Sequence, residues 1–242
     1  MTTKQKTVVV TGASQGIGAA ISDLFLDRGY NVVANSRNIS RNSELRRSET
    51  LALVDGDIAF ATTAANIVAT AVKRFGSLDA LVNSAGIFFP KPFIEYTPED
   101  FRALSSTNLD GFIYITQLAV RQMLAQKTGG SVVSITATMA DHPLAAVTAS
   151  VPMITKGGIN AASRSLAMEY AKQGIRVNAV APGVVATPLL KDAPQDFLRT
   201  LSPLGQISAA RDIAEAVVYL TEASQVTGEV LHVDGGMHLG RW

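Results

Sequence analysis

The chain has 242 residues, 47% apolar and only 17% charged, enough apolar material for a sizeable core and too much for a disordered polymer. Its 21 Lys and Arg against 20 Asp and Glu leave a net charge of +1, which argues against a general nucleic-acid binder. The absence of cysteine removes disulfides, thiolate nucleophiles, iron–sulfur clusters and thiolate zinc sites, and His142, His232 and His238 lack a zinc-helix spacing, so no metal is expected.

The opening Met1–Lys6 is polar, and no apolar run approaches the roughly 18 residues of a membrane span. The expectation is a soluble, cytoplasmic protein with a small-molecule substrate, no nucleic-acid partner and no membrane partner.

Taken in chain order, short β-rich runs alternate with longer helical patterns. The predicted strands are Thr7–Thr11, Asn31–Asn35, Leu51–Val54, Ala80–Asn83, Ser131–Ile135, Arg176–Ala181 and Glu229–Val233. Most are continuously apolar rather than alternating, as in parallel strands covered on both faces. The predicted helices are Ile17–Arg28, Ala64–Phe75, Pro98–Leu124, Met153–Ala171 and Arg211–Thr221. Thr97-Pro98-Glu99-Asp100 supplies an N-cap hydroxyl, a proline at the first helical position and acids in the first turn. The polar segment Ser36–Thr50, with Arg37, Arg41, Arg46 and Arg47, is expected to be a surface loop with a short helix. Repeated β–α alternation without a linker predicts an α/β fold: one Rossmann-type domain over 1–242, a doubly wound parallel sheet of about seven strands with helices on both faces.

After the first strand comes Thr11-Gly-Ala-Ser-Gln-Gly-Ile-Gly18. Gly12 permits a tight strand-to-helix turn, Gly16 lets the backbone approach a pyrophosphate, and Gly18 lets the helix pack close to the sheet. Ser14, Gln15 and Ile17 complete this loop. With Asn83-Ser-Ala-Gly86, Asn108, Lys156, Pro182-Gly183, Thr187 and Val233-Asp-Gly-Gly236, the loop makes the chain resemble the short-chain dehydrogenase/reductase family over essentially its full length. The second motif departs by one residue from the usual Asn-Asn-Ala-Gly.

The resemblance implies a nicotinamide cofactor. Its preference can be argued from charge: an NAD site needs an acid at the end of the second strand, whereas Ser36 stands there, followed by Arg37. A hydroxyl and a fork-shaped cation suit a 2′-phosphate, which favours NADP(H) over NAD(H). The resemblance further implies that Asp57 and Ile58 flank the adenine and that Asn83, Ala85 and Gly86 line the cleft. By the same resemblance Val185 and Thr187, after Pro182-Gly183, meet the nicotinamide carboxamide and the diphosphate, and Lys156 holds the ribose.

The catalytic half breaks the family pattern. Similar proteins carry a general-acid tyrosine four residues before the lysine, a serine upstream, and an asparagine that holds a relay water. Lys156 and Asn108 are present, but Pro152 occupies the tyrosine position and Ala137 aligns best with the serine. Thr138, Asp141 and His142 join Lys156 as candidates for the missing acid. Asn108 could also serve simply as a buried polar residue at a helix bend. Three readings stay open: an oxidoreductase with a non-standard proton donor, one whose substrate (an imine or activated alkene) needs no enzymic acid, and an NADP-binding protein with non-redox catalysis or a scaffold role. The apolar stretch 184–206 is expected to form a substrate lid and, with Ile87, Phe88, Phe89 and Phe93, to suit a hydrophobic substrate. Relatives pair long helices and the last strand across twofold axes, so a homotetramer is expected, with a dimer as the runner-up.

Overall fold

Every one of the seven apolar runs becomes a strand of a single parallel sheet in the computed structural model, which describes residues 5–41 and 48–240. In chain order the elements are β1 (Thr7–Thr11), α1 (Gly16–Asp27), β2 (Asn31–Ser36), β3 (Leu51–Asp55), α2 (Ala61–Phe75), β4 (Ala80–Asn83), α3 (Pro98–Ser105), α4 (Gly111–Gln126) and β5 (Gly130–Ile135). There follow α5 (Ser150–Tyr170), β6 (Ile175–Pro182), β7 (Val185–Ala186), α6 (Gln195–Arg199), β8 (Ser208–Ala209), α7 (Ala210–Glu222) and β9 (Val230–Val233). The sheet order is β3-β2-β1-β4-β5-β6-β9. The chain winds outward from β1 to β3, then crosses back to β4 and continues to β9. The crevice at this reversal, beyond the carboxyl ends of β1 and β4, is where such sheets bind ligands.

The two faces of the sheet explain the continuous apolar runs. Val8, Val10, Val32 and Val82 pack against Ile21 and Phe25 of α1 and Val217 and Leu220 of α7. Val9, Val33, Leu81 and Val132 point the other way, against Ile67 of α2 and Ile115 and Met123 of α4. All are essentially fully buried, each burial worth roughly 1.5–3 kcal/mol.

Two helix expectations are corrected. The span Pro98–Leu124 is not one α-helix: a π turn at Ser106–Asp110 separates α3 from α4. Its start is as the sequence indicates, with Asp100 N donating to Thr97 Oγ1 at 3.2 Å and Thr97 N donating to Asp100 Oδ2 at 3.0 Å. α5 begins at Ser150 rather than Met153, with Pro152 inside its first turn, where a missing N–H breaks no intrahelical bond.

In the polar segment Ser36–Thr50 a short 3₁₀ turn covers Ile39–Arg41, and Arg46 and Arg47 lie outside the described residues. The stretch 184–206 carries its own small structure: β7 pairs with β8 in parallel, and α6 lies on the connection between them. Among the described residues no helix is long and apolar enough to cross a membrane.

Candidate active site

The cleft at the reversal point is built first from the β1–α1 loop. Gly12 has a φ of +67°, and a Cβ there would stand 2.7 Å from Ala85 Cα, so only glycine allows β1 to turn against the β4 loop. A Cβ on Gly18 would stand 2.2 Å from the Gly12 carbonyl oxygen, so glycine is also required where α1 leaves the turn. Thr11 Oγ1 holds the two loops together by accepting from Ser84 N and Ala85 N, both at 3.1 Å. α1 starts at Gly16 without a side-chain cap from Gln15, and its first N–H groups are available to an anion.

The structure brings most of the expected residues to one cleft. Gly12, Ser14, Gln15, Gly16, Ile17 and Gly18 form one wall, and Ser36, Arg37, Asp57 and Ile58 the end beyond β2 and β3. Ala85, Gly86 and Thr187 close the other side. Arg37 is exposed at the rim and Ser36 half-buried beside it. Asn35, in no motif of the sequence, donates through Nδ2 to Val54 O at 2.9 Å and Gly56 O at 3.1 Å, clamping the ends of β2 and β3. Ile87, Thr107, Ile135, Pro188 and Leu189 also line the cleft and had no motif to mark them.

Pro182, Gly183 and Val185 are not part of this lining. Val185 points into the core with 4% of its surface exposed, and Gly183 packs against Asp234, where a Cβ would stand 2.7 Å from Asp234 Cβ. The Asn83 side chain also turns inward. It donates to Thr116 Oγ1 at 3.0 Å and Ser134 Oγ at 3.3 Å, binding α4 to the sheet.

An enclosed cavity adjoins the cleft, sharing Ile58, Ala85, Thr107 and Ile135 with it and holding Asn83, Asn108 and Lys156. Asn108 sits in the π turn, 2% exposed. Its Oδ1 accepts from Ile87 N at 2.9 Å, and its Nδ2 donates to Ile87 O at 3.1 Å and Thr155 Oγ1 at 3.0 Å. Thr155 in turn donates to the carbonyl of Pro152 at 2.7 Å. The side chain of Lys156 is only partly accessible, and its Nζ donates to Ile135 O at 2.8 Å. Desolvation lowers this ammonium from 10.5 to about 8.

Two candidate acids are placed elsewhere. Thr138 is fully buried and points toward β6 and β9, where its hydroxyl reaches Ala181 O at 3.0 Å and Asp234 Oδ2 at 2.9 Å. It lines neither cavity, because the chain after β5 enters a 3₁₀ turn that carries it away from the cleft. Asp141 is likewise turned to α5, accepting from Asn160 Nδ2 at 2.8 Å.

His142 follows it into a cluster that the sequence spacing did not announce. All three histidines of the chain meet there, with ring centroids 5.2 Å apart for His142–His232, 5.7 Å for His142–His238 and 4.5 Å for His232–His238. His238 Nδ1 lies 3.0 Å from both oxygens of Asp234. Burial alone would raise the Asp234 carboxyl, but hydrogen bonds from His238 and Thr138 outweigh it and hold the group below its usual value. Burial, and then the neighbouring His238, push His232 down. Among the described residues, no group of histidines and acids is arranged to hold a metal ion.

The model of a family described as enoyl-(acyl carrier protein) reductase matches residues 12–238. Carbonyl reductase family member 4 of Xenopus tropicalis is 36% identical over 236 residues, covering 97% of this chain and 98% of that protein. The 3-oxoacyl-[acyl-carrier-protein] reductase of Bos taurus is 36% identical over 242 residues, with 97% and 98% covered. Among solved structures, ElxO with NADP bound superposes with a TM-score of 0.91 at 27% identity, covering 98% of this chain and all of that one.

Proposed function

Because the chain belongs to the short-chain dehydrogenase/reductase family, we propose that it is an NADP(H)-dependent oxidoreductase acting on a small, hydrophobic carbonyl, imine or activated alkene, with a proton donor other than tyrosine. The observation that carries this reading is the shared lining of Ser36 and Arg37 with the Gly12–Gly18 loop. One cleft thus offers an uncapped helix N-terminus for a pyrophosphate and, at its far end, a hydroxyl and a guanidinium for a further phosphate. Gly12 and Gly18, which tolerate no Cβ, hold the β1–α1 turn close against the β4 loop and shape that wall of the cleft.

A nicotinamide cofactor held there would supply hydride chemistry toward an unsaturated carbon. The chain's own residues have three tasks. The α1 N-terminus, Ser36 and Arg37 hold the phosphates. Asn108 fixes Ile87 and Thr155 around the inner cavity. Ile87, Ile135, Pro188 and Leu189 give the cleft apolar walls. Those apolar walls support a hydrophobic substrate. The names of the relatives, a carbonyl reductase and a 3-oxoacyl reductase, support a carbonyl as its reacting group.

Pro152 and Ala137 favour the second reading, a nucleotide-binding protein without redox chemistry, since neither side chain can give a proton. Binding of NADPH and NADH, followed by single-turnover oxidation of NADPH against carbonyls, imines and enones, separates the two. Turnover of one class is expected; tight NADPH binding with no turnover of any class would establish the second reading instead. A homotetramer, or at least a dimer, is supported by the apolar groove along α4 and α5, where Ile113 and Leu124 are 43% and 37% exposed.

A further inference from the structure

We propose that Lys156 itself is the general acid of the reaction, its Nζ giving the proton that the substrate oxygen takes up. This rests on the reductase reading above and names the group that fills the role of the absent tyrosine. Geometry carries it, because Lys156 is the ionisable group of the inner cavity: Thr11 and Thr107 offer it only alkyl hydroxyls, which do not release a proton at neutral pH, and the amides and other expected donors are committed. Pro152 stands one helical turn before Lys156 on α5 and has no proton to give. Both amide hydrogens of Asn108 are used, on Ile87 O and Thr155 Oγ1. The single hydroxyl proton of the buried Thr155 goes to Pro152 O. Thr138 faces Ala181 and Asp234, Asp141 faces Asn160, and His142 lies within the histidine cluster.

Lys156 differs from all of these. Its ammonium has three N–H bonds, and Ile135 O is the acceptor it holds among the described residues. Two donors are therefore left for a ligand. The Nζ stands beside Gly86, where the inner cavity meets the open cleft: a Cβ on Gly86 would be 3.2 Å from Nζ and from Asn108 Oδ1 alike. The polar groups around it, Thr11 on β1, Asn83 on β4, and Thr107 and Asn108 in the π turn, are uncharged. Loss of hydration is accordingly the whole cause of its depressed affinity for the proton, and no carboxylate opposes it. An amine titrating near 8 is charged at neutral pH yet releases its proton far more readily than a surface lysine, the match that general acid catalysis requires.

The step balances. As the carbonyl carbon gains hydride, a C–H bond forms and the C=O π pair moves to oxygen. An Nζ–H bond breaks while the O–H bond forms, leaving an alcohol and a neutral amine. That amine recovers its proton from solvent along the part of the side chain that stays accessible. The nicotinamide cofactor is oxidised and the carbonyl reduced, with no further reactant.

The test uses the whole protein with NADPH and 9,10-phenanthrenequinone as the carbonyl probe. In ¹³C-lysine-labelled protein without cofactor, the Cε–Hε signal that vanishes in Lys156→Arg should titrate near pH 8. The rate of quinone reduction should be level below that pH and fall tenfold per unit above it, because the neutral amine has no proton to give. Lys156→Arg keeps a positive charge for the cofactor but donates no proton in this range. With NADPH raised to saturate the variant, it should lose about 10²–10⁴-fold in reduction rate and show no alkaline limb near pH 8. Lys156→Gln serves as a second variant, its fold checked by circular dichroism.

Titration of the Lys156 signal near 10.5, or an unaltered alkaline limb in Lys156→Arg, would overturn the proposal while leaving the reductase reading intact. Titration near 8 with no NADPH oxidation by the quinone or by any carbonyl, imine or enone would instead bring down the reductase reading, and the donor role with it.

Discussion

Arg37 stands exposed at the end of the cleft with Ser36 half-buried beside it, and under the proposed function both meet the 2′-phosphate. A hydrogen bond to a charged partner contributes about 1.5–3 kcal/mol, or roughly 10–100-fold in affinity. Arg37→Glu is therefore expected to weaken NADPH by that factor and leave NADH nearly unchanged, measured by quenching of intrinsic fluorescence. Equal loss for both nucleotides would assign Arg37 to a solvated loop. Pro152 and Ala137 permit the reverse experiment. Pro152→Tyr with Ala137→Ser supplies a phenol in the first turn of α5 and a hydroxyl in the loop after β5. We expect a gain in carbonyl reduction over the parent, at a cost of about 1–3 kcal/mol for overpacking the buried position, seen as a lowered melting temperature. Silence in a variant that still folds would mean that the start of α5 has moved from the family's geometry. At this scale the sequence was most informative where a residue is needed for its backbone or its charge, as with Gly12, Gly18, Arg37 and Lys156. It misplaced Thr138 and Asp141, because a loop residue's direction depends on the turn that carries it and not on its distance from a motif.

The stretch from α3 to α4 shows what an element conceals. Its apolar residues keep a helical period on both sides of Ser106–Asp110, so the sequence reads as one helix, and the π turn leaves no signature in that period. Asn108 was noted as a polar residue suited to a bend, and it occupies that bend. Its amide satisfies both backbone groups of Ile87 and thereby ties the helix to the loop after β4. Asn108→Ala leaves a donor and an acceptor of Ile87 unpaired in a partly buried place. Urea denaturation is expected to show a loss of about 1–3 kcal/mol, with the slope of the transition unchanged. A loss within about 0.3 kcal/mol would mean that water replaces the amide. The caps were easier to read: Thr97 and Asp100 define the start of α3 through their own reciprocal bonds, which need no distant partner.

For the whole molecule, the histidine cluster and the α4–α5 groove make two expectations. His232 binds its proton more weakly in the folded chain than its ordinary 6.5, so between those values the unfolded chain holds more protons and stability rises with pH. The contribution is complete above about pH 6.5 and is lost as pH falls below it. Asp234, held below its ordinary 3.8, adds a second loss at lower pH as its carboxylate takes up a proton. The melting temperature should therefore fall from pH 8 to pH 5, and His232→Gln should flatten that slope; a slope unchanged by the substitution would place the effect elsewhere. If α4 and α5 form a subunit contact, Ile113→Asp should reduce the mass measured by light scattering to a smaller oligomer, and an unchanged mass would move the contact to another face.

Local order was legible in the chain because it is written in near neighbours. The apolar runs marked the seven strands, the glycine spacing marked the turn that opens α1, and the order of motifs singled out the lysine that lines the inner cavity. What the fold alone decided concerns residues far apart in sequence. Thr138 and Asp234 lie 96 positions apart yet share a hydrogen bond of 2.9 Å, and the three histidines come from a loop, a strand and a terminal turn. Their meeting follows from the placement of β9 beside β6, a pairing that no stretch of local sequence contains. The same placement gives the buried Thr138 its partner in Asp234, just past the end of β9.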